Sequence, residues 1–522
     1  MDPARTGVRD ARGGAGARRT MTRAIGIARP LGSCVPLVGS VIDAPQERLP
    51  CAGQGEDNGE RRHEPLCAPD DGAGRASVIV PQERAVPVRT RTAPVQQSAL
   101  TQLLTATEPS APVEQVAGQP SALDSRAWWP VAAAILAIAW GGNEFTPLLV
   151  LYREVSQFSP LVVDGLLAAY VLGIVPALLL GGPLSDIVGR RPVLLPAPVL
   201  ALLGSGLLAL GPGAPLLLGV GRVLCGAALG LVMAIGTAWI KELSDAAGEE
   251  PGTGARRAAL ALTLGFLLGA GVAALLAQFA PWPTRTTYLL HMLLMLVSGA
   301  WLLRAPETRP AAPGPRPSIG DLLARLRVPA VAHRRFLRVV IPVAPWVFGA
   351  AATAYAILPA LLSEHAGRYP IAFAGLMTAV TLVCGVGIQS IGRGIDTHRS
   401  ARASVIAMTV IAAGVSLAAL AVSTSALSAG LLAAAVLGCG YGLALVAGLS
   451  EVQRLAEPED LGAVTAVFYS LTYLGFFIPM ICAGLNTWLS YPTMLLVGAV
   501  LATLTLIEVA VAWSAHLPGA HD

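Results

Sequence analysis

The sequence predicts an all-α membrane protein, with twelve transmembrane helices in two pseudo-symmetric six-helix halves. Three observations carry this. Only 13% of the 522 residues are charged and 54% are hydrophobic, with mean hydropathy +0.63, whereas a soluble globular chain is roughly one quarter charged. From Trp128 onward, apolar runs long enough to cross a bilayer alternate with short polar breaks. The longest internal polar stretch, 304–338, leaves 176 residues on either side, 128–303 and 339–514.

Runs near 128–152, 161–184, 192–210, 215–237, 258–280 and 286–303 supply the first six spans. Runs near 339–362, 371–392, 404–423, 427–449, 461–485 and 491–514 supply the second six. A helix rises about 1.5 Å per residue, so roughly 20 apolar residues cross the hydrocarbon. Backbone groups in lipid need internal partners, and long runs without alternation are helices rather than barrel strands. The expected organisation is an N-terminal extension (1–126), a first half (127–303), a central loop (304–338), a second half (339–514) and a tail (515–522).

The extension carries 15 of the 36 basic residues and no apolar run of membrane length. Rich in Pro, Gly and Ala, it buries too little surface to offset ordering entropy and is expected to be disordered. The stretch 21–44 is faintly signal-like, but Arg29, Pro30 and Pro36 interrupt it. A basic cytoplasmic tail and a start codon placed too far upstream both account for the extension.

Positive charge sets the expected orientation. With the extension inside, inner breaks carry 17 basic residues, and outer breaks only Arg153, Arg285 and Arg368. The positive-inside rule then places both termini in the cytoplasm, with the plasma membrane as the expected location. Of the 36 basic residues all but Lys241 are arginine, a bias read as genomic composition. The seven cysteines include no C-x-x-C pair, and neither a disulfide framework nor a zinc site is expected. No G-x-x-x-x-G-K-[ST] loop is present, which argues against direct ATP drive. The basic extension lacks interleaved aromatics, which argues against nucleic-acid binding.

The break after the second span reads "GPLSDIVGRR", with Gly182, Leu184, Asp186, Gly189, Arg190 and Arg191. It resembles the G-x-L-x-D-x-x-G-R-[RK] signature of the major facilitator superfamily, between its second and third helices. Arg222, Gly226 and Gly230 in "GRVLCGAALG", and "PETR" at 306–309, resemble two further signals of that family. The resemblance covers 128–514 and implies a drug-efflux-like secondary transporter. In span 5, "GFLLGAGVAA" keeps Gly265 and Gly269 but lacks the proline of the antiporter signature. A weaker second-half echo follows span 8, with Asp396 and Arg399 in "GRGIDTHRSAR".

The resemblance implies that Asp186 docks on the N-terminus of span 11, and that Arg190 pairs with an acid near the end of span 4, Glu242 or Asp245. That would form a cytoplasmic latch holding an outward-open state. Gly182 and Gly189 would permit close approach and a tight turn, and Arg191 serves topology equally well. Arg222 and Glu144 each lie about eight residues from the outer end of their spans, about 12 Å deep. Charge inside a span is costly and usually functional. A Glu144–Arg222 pair, direct or bridged by water, is expected to couple protons, with a structural ion pair as the alternative. Trp140 and Asn143 lie within about a turn of Glu144. Gln389, Tyr469 and Tyr473 complete the candidate cavity, the two tyrosines sharing one helix face. Asp164, Glu508 and His291 read as structural.

The expected function is proton-coupled export of a small amphipathic or drug-like compound by alternating access; the alternative is proton-linked uptake of a sugar or other polar solute. No cofactor, metal or catalytic residue is expected. The expected partners are the solute, protons and the lipid bilayer, and the expected state is a monomer. A membrane enzyme or receptor would call for a catalytic constellation within the spans, and none is visible.

Overall fold

In this computed structural model, the described residues are 124–311, 318, 320 and 329–515. Nearly all of the N-terminal extension, much of the central loop including Arg316, Arg325 and Arg327, residues 516–522, and Cys34, Cys51 and Cys67 lie outside them.

Twelve apolar helices follow in order. They are α1 Trp129–Val155, α2 Pro160–Val188, α3 Arg190–Leu210, α4 Pro215–Ala246, α5 Thr253–Phe279 and the shorter α6 Thr286–Leu302. Then come α7 Phe336–Ala366, α8 Pro370–Ile395, α9 Arg402–Thr424, α10 Leu427–Leu455, α11 Leu461–Leu485 and α12 Tyr491–Val511. Several helices overrun the expected spans, and most of the excess lies on one side. At the face carrying the α2–α3 turn, α2 runs on to Val188, α4 to Ala246 and α10 to Leu455, and α5 begins at Thr253. These extra turns hold Asp186, Glu242, Glu451, Arg454 and Arg257, which an apolar-run criterion trims away. We call this the motif face.

The packing repeats with an offset of six. α2 packs on α4 as α8 does on α10, α3 on α4 as α9 on α10, α3 on α6 as α9 on α12, and α1 on α5 as α7 on α11. Glycine makes the closest of these contacts. A Cβ on Gly226 of α4 would lie 2.1 Å from the Tyr170 carbonyl oxygen of α2, and one on Gly442 of α10 would lie 2.1 Å from that of Gly385. Without an apolar driving force between helices in lipid, close backbone approach of this kind supplies the packing.

Contacts between the halves run through α5–α8 and α2–α11. At the face opposite the motif, Gln278 of α5 bridges to the start of α8. Its Oε1 accepts from the Ile371 and Ala372 N–H groups at 3.1 Å each, and its Nε2 donates to the Arg368 carbonyl at 3.2 Å. Also on that face, Arg153 of α1 pairs with the buried Asp164 of α2 at 2.7 Å.

Five helices break regular α geometry, α3 only at Leu195, just before Pro196. In α1 the α conformation ends at Asn143 and resumes at Leu148, because Pro147 has no N–H to donate to Asn143. The Thr146 N–H takes that carbonyl at 3.3 Å instead. Wider π turns occupy Val232–Gly236 in α4 and Phe336–Val340 and Thr353–Ile357 in α7, and a tighter 3₁₀ turn occupies Leu474–Phe476 in α11.

Gly226→Ala should force α2 and α4 apart and cost roughly 1–3 kcal/mol, as overpacking does. Gly271→Ala, where an added Cβ meets nothing within 4 Å, should leave stability unchanged. Thermal unfolding of the purified protein in detergent checks both.

Candidate functional site

A cavity of about 370 Å³ lies between the halves. It runs from Asn143, Tyr170, Tyr355 and Phe476 at mid-depth to Gln389, Arg393, Ser450 and Gln453 at the motif face. Aromatic rings dominate its wall. Phe348 stacks on Phe476 at 5.1 Å and meets Tyr473 at a tilt, 4.6 Å between centroids. Tyr441, Tyr469 and Phe266 add to the same surface. The Tyr473 hydroxyl contacts the Met233 sulfur at 3.1 Å, joining α11 to α4.

Behind the wall, in the first half, lies a buried polar cluster. Glu144 is fully buried at the α1 break. The Ser205 hydroxyl of α3 contacts its Oε1 at 3.4 Å and His291 Nδ1 of α6 at 2.6 Å, and His291 Nδ1 lies 3.4 Å from the same Oε1. The other ring nitrogen, Nε2, is 3.0 Å from the Ala137 carbonyl oxygen. Arg222, also fully buried, lies between two ring faces, 4.1 Å from the Tyr170 centroid and 4.5 Å from that of Phe145. Such stacking is worth about 2 kcal/mol or more when desolvated. Glu144 Oε2 and both terminal Arg222 nitrogens lack a hydrogen-bond partner among the described residues. Tyr170 joins the two compartments: its ring touches Arg222 and also lines the cavity.

At the motif face, Arg190 binds Asp186 at 2.7 Å, Glu242 of α4 at 2.8 Å and the Ser185 hydroxyl at 2.6 Å. Glu307, beyond α6, caps α3: its two oxygens accept from the Arg190 and Arg191 N–H groups at 3.0 and 2.8 Å. A carboxylate there satisfies orphan donors and meets the positive end of the helix dipole. Thr308 donates to Glu242, and Arg309 pairs with Asp186 at 2.9 Å. Gly189, with φ of +107°, makes the turn between α2 and α3. A corresponding network in the second half joins Asp396 to Arg454, Arg454 to Glu451, and Glu451 to the fully buried Arg335 through two bonds of 2.6 and 2.7 Å.

The sequence model of the Major Facilitator Superfamily matches residues 131–480. The chain belongs to the major facilitator superfamily. No curated protein matches it. Solved structures share the fold at low identity. A POT family transporter in complex with 5-aminolevulinic acid has TM-score 0.59 and 13% identity, covering 74% of this chain and 96% of that one. The nucleoside transporter NupG has TM-score 0.59 and 13% identity, covering 74% and 99%. The human organic anion transporter MFSD10 (TETRAN) has TM-score 0.52 and 18% identity, covering 74% and 99%. These neighbours are transporters rather than enzymes, and the chain is a multi-pass membrane transporter of the superfamily.

Against this superfamily frame, the residues singled out in the sequence fall into two groups. Asn143, Gln389, Tyr469 and Tyr473 line the cavity. Trp140 does not: its backbone packs on Gly269 of α5, where a Cβ would lie 2.3 Å from its carbonyl oxygen. Glu144 and Arg222 do not form the expected direct pair, because Ser205 and His291 take the carboxylate and two rings take the guanidinium. His291, read as structural, is therefore a partner of Glu144. Between the two acids offered to Arg190, Glu242 is the one bound.

Asp186 makes no hydrogen bond to the start of α11. In this conformation Arg190 and Arg309 hold it, and the cavity opens on that side. Gly182 has open space around its Cβ position, so close approach does not explain it here. Arg191 does more than set topology, since its guanidinium donates to the Leu303 carbonyl at 2.7 Å. Arg399 is exposed and makes no ion pair among the described residues; Asp396, the other residue of the echo, pairs with Arg454. Tyr170, Phe348, Tyr355, Glu451 and Arg335 were not singled out. The one sequence signal for Glu451 is its place on α10 beside Arg454, matching Glu242 on α4.

Arg190→Ala and Glu242→Gln should each destabilise the protein, and the double variant should be less damaged than their sum. A coupling of about 1 kcal/mol is expected for a half-buried pair in contact, measured by a thermal-unfolding double-mutant cycle.

Proposed function

We propose that the protein is a proton-driven exporter of small amphipathic molecules in the plasma membrane, working by alternating access as a monomer. The observation that carries this is the cavity: eight aromatic rings and one charged side chain, open at the motif face. Such a wall suits a solute with an apolar body and few charges. The 17-to-three bias of basic residues supports placing the motif face and both termini in the cytoplasm, and the conformation described is then inward-open. Asp186, free of α11, fits a latch that closes only when the halves rock to the other state.

Glu144 is the proposed proton carrier. One of its carboxylate oxygens has no hydrogen-bond partner among the described residues, so a modest movement of Tyr170 or of the α1 break changes what that oxygen meets. Its seat behind Asn143 and Tyr170 separates the proton from the solute while leaving one wall in common.

A second reading, proton-linked uptake of a polar solute, is favoured by one feature. The α5 run through Gly265 and Gly269 lacks the proline of the antiporter signature.

Flux in reconstituted vesicles of known orientation, measured for a panel of labelled solutes with pH gradients of either sign, tests both. Export predicts solute moving against the proton flow, and uptake predicts solute moving with it. Glu144→Gln should lower gradient-driven flux at least about tenfold while leaving solute exchange without a gradient intact. Undiminished gradient drive in that variant would remove Glu144 from the mechanism.

A further inference from the structure

The charge at the cavity mouth carries information about the solute. Among the lining residues the sole formal charge is Arg393; no Asp, Glu or Lys lines the wall. Arg393 is exposed and has no ion pair or hydrogen bond among the described residues. The neighbouring acids are already engaged. Asp396 is bound by Arg454, and Glu451 is bound by both Arg335 and Arg454. Among the described residues Arg393 is thus a cation without a paired acid, at the rim of an aromatic chamber.

Its position is specific. A cation in the last turn of α8 interacts favourably with the helix carbonyl end, but residues 392–395 would all serve that purpose. Position 393 follows Gln389 by four residues, so the two share a helix face, and both line the cavity. On the neighbouring α10, Ser450 and Gln453, three residues apart, offer neutral hydrogen-bonding groups to the same cavity. Deeper lie the rings of Phe348, Tyr473 and Phe476.

We infer that the transported solute is a small organic monoanion, an aromatic body bearing one carboxylate, and that Arg393 binds the carboxylate. This rests on the transport reading given above. A planar guanidinium matches a carboxylate with two parallel N–H···O bonds. An organic cation of the same shape would meet an unopposed positive charge, and a dianion would leave one of its charges without a partner.

Binding of three matched probes to the full-length protein in detergent tests this: 3-phenylpropionate, 3-phenylpropionamide and 3-phenylpropylamine, by isothermal calorimetry. Wild type should bind the carboxylate roughly tenfold to hundredfold more tightly than the amide, the range of a hydrogen bond to a charged group, and the amine least. Arg393→Gln should bring the carboxylate down to the amide, with the amide unchanged. Arg393→Lys, which keeps the charge and loses the fork, should keep part of the preference. Equal binding of the three by wild type, binding of none, or an unchanged carboxylate preference in Arg393→Gln overturns the inference. An unchanged unfolding temperature in each variant excludes a folding defect. The measurement needs no flux, so its failure is distinct from failure of the transport reading, which shows as a panel of solutes none of which moves.

Discussion

A backbone carbonyl in hydrocarbon that loses its helical N–H has no water to turn to. This constraint decides where the chain can be irregular. The α1 break at 144–147 is wholly buried, and so is every residue of the α7 turn at Thr353–Ile357. These two, with the α4 π turn and the α11 3₁₀ turn, gather on the helices that wall the cavity. Lipid-facing α9 and α12 run without interruption.

The two halves share contacts but not wiring. Glu242 and Glu451 stand at matching places on α4 and α10; Glu242 receives one arginine and Glu451 two. In the first half the main cation comes from the α2–α3 turn, and the segment after α6 clamps it. In the second half the cations come from α10 itself and from the residues before α7. The result is one similar anchoring of the α4 and α10 ends by different parts of the chain. Only the first version leaves an acid, Asp186, at 40% side-chain exposure beside the opening.

How much of this could be read in advance follows from what each residue type reports. Apolar run length reports helices directly, and all twelve lie where the runs do. Helix ends at the motif face were underestimated, since charged turns beyond the hydrocarbon look like loops. Glycine rows on α4 and α5 were readable as packing because no other residue fits such contacts. Asn143, Gln389 and the two tyrosines of α11 were readable because polar groups in a span are scarce. Pairing was not. Glu144 and Arg222 share a depth, but depth carries no angle about the helix axis, and the guanidinium is stacked by the rings of Phe145 and Tyr170. Tyr170 and Phe348 were hidden among many apolar residues that differ only in which neighbour they face.

Gln278 and Asp186 mark the two ends of the molecule, and they differ in kind. Separating α5 from α8 at the Gln278 end breaks three hydrogen bonds to neutral backbone groups, none of which titrates or draws a counterion. At the Asp186 end, open in this conformation, exposed and half-buried charges pair within the first half, and mobile ions screen them over about 8 Å at physiological ionic strength. A rise in ionic strength therefore weakens charge pairs inside the first half at one end and leaves the neutral Gln278 bridge between the halves as it was.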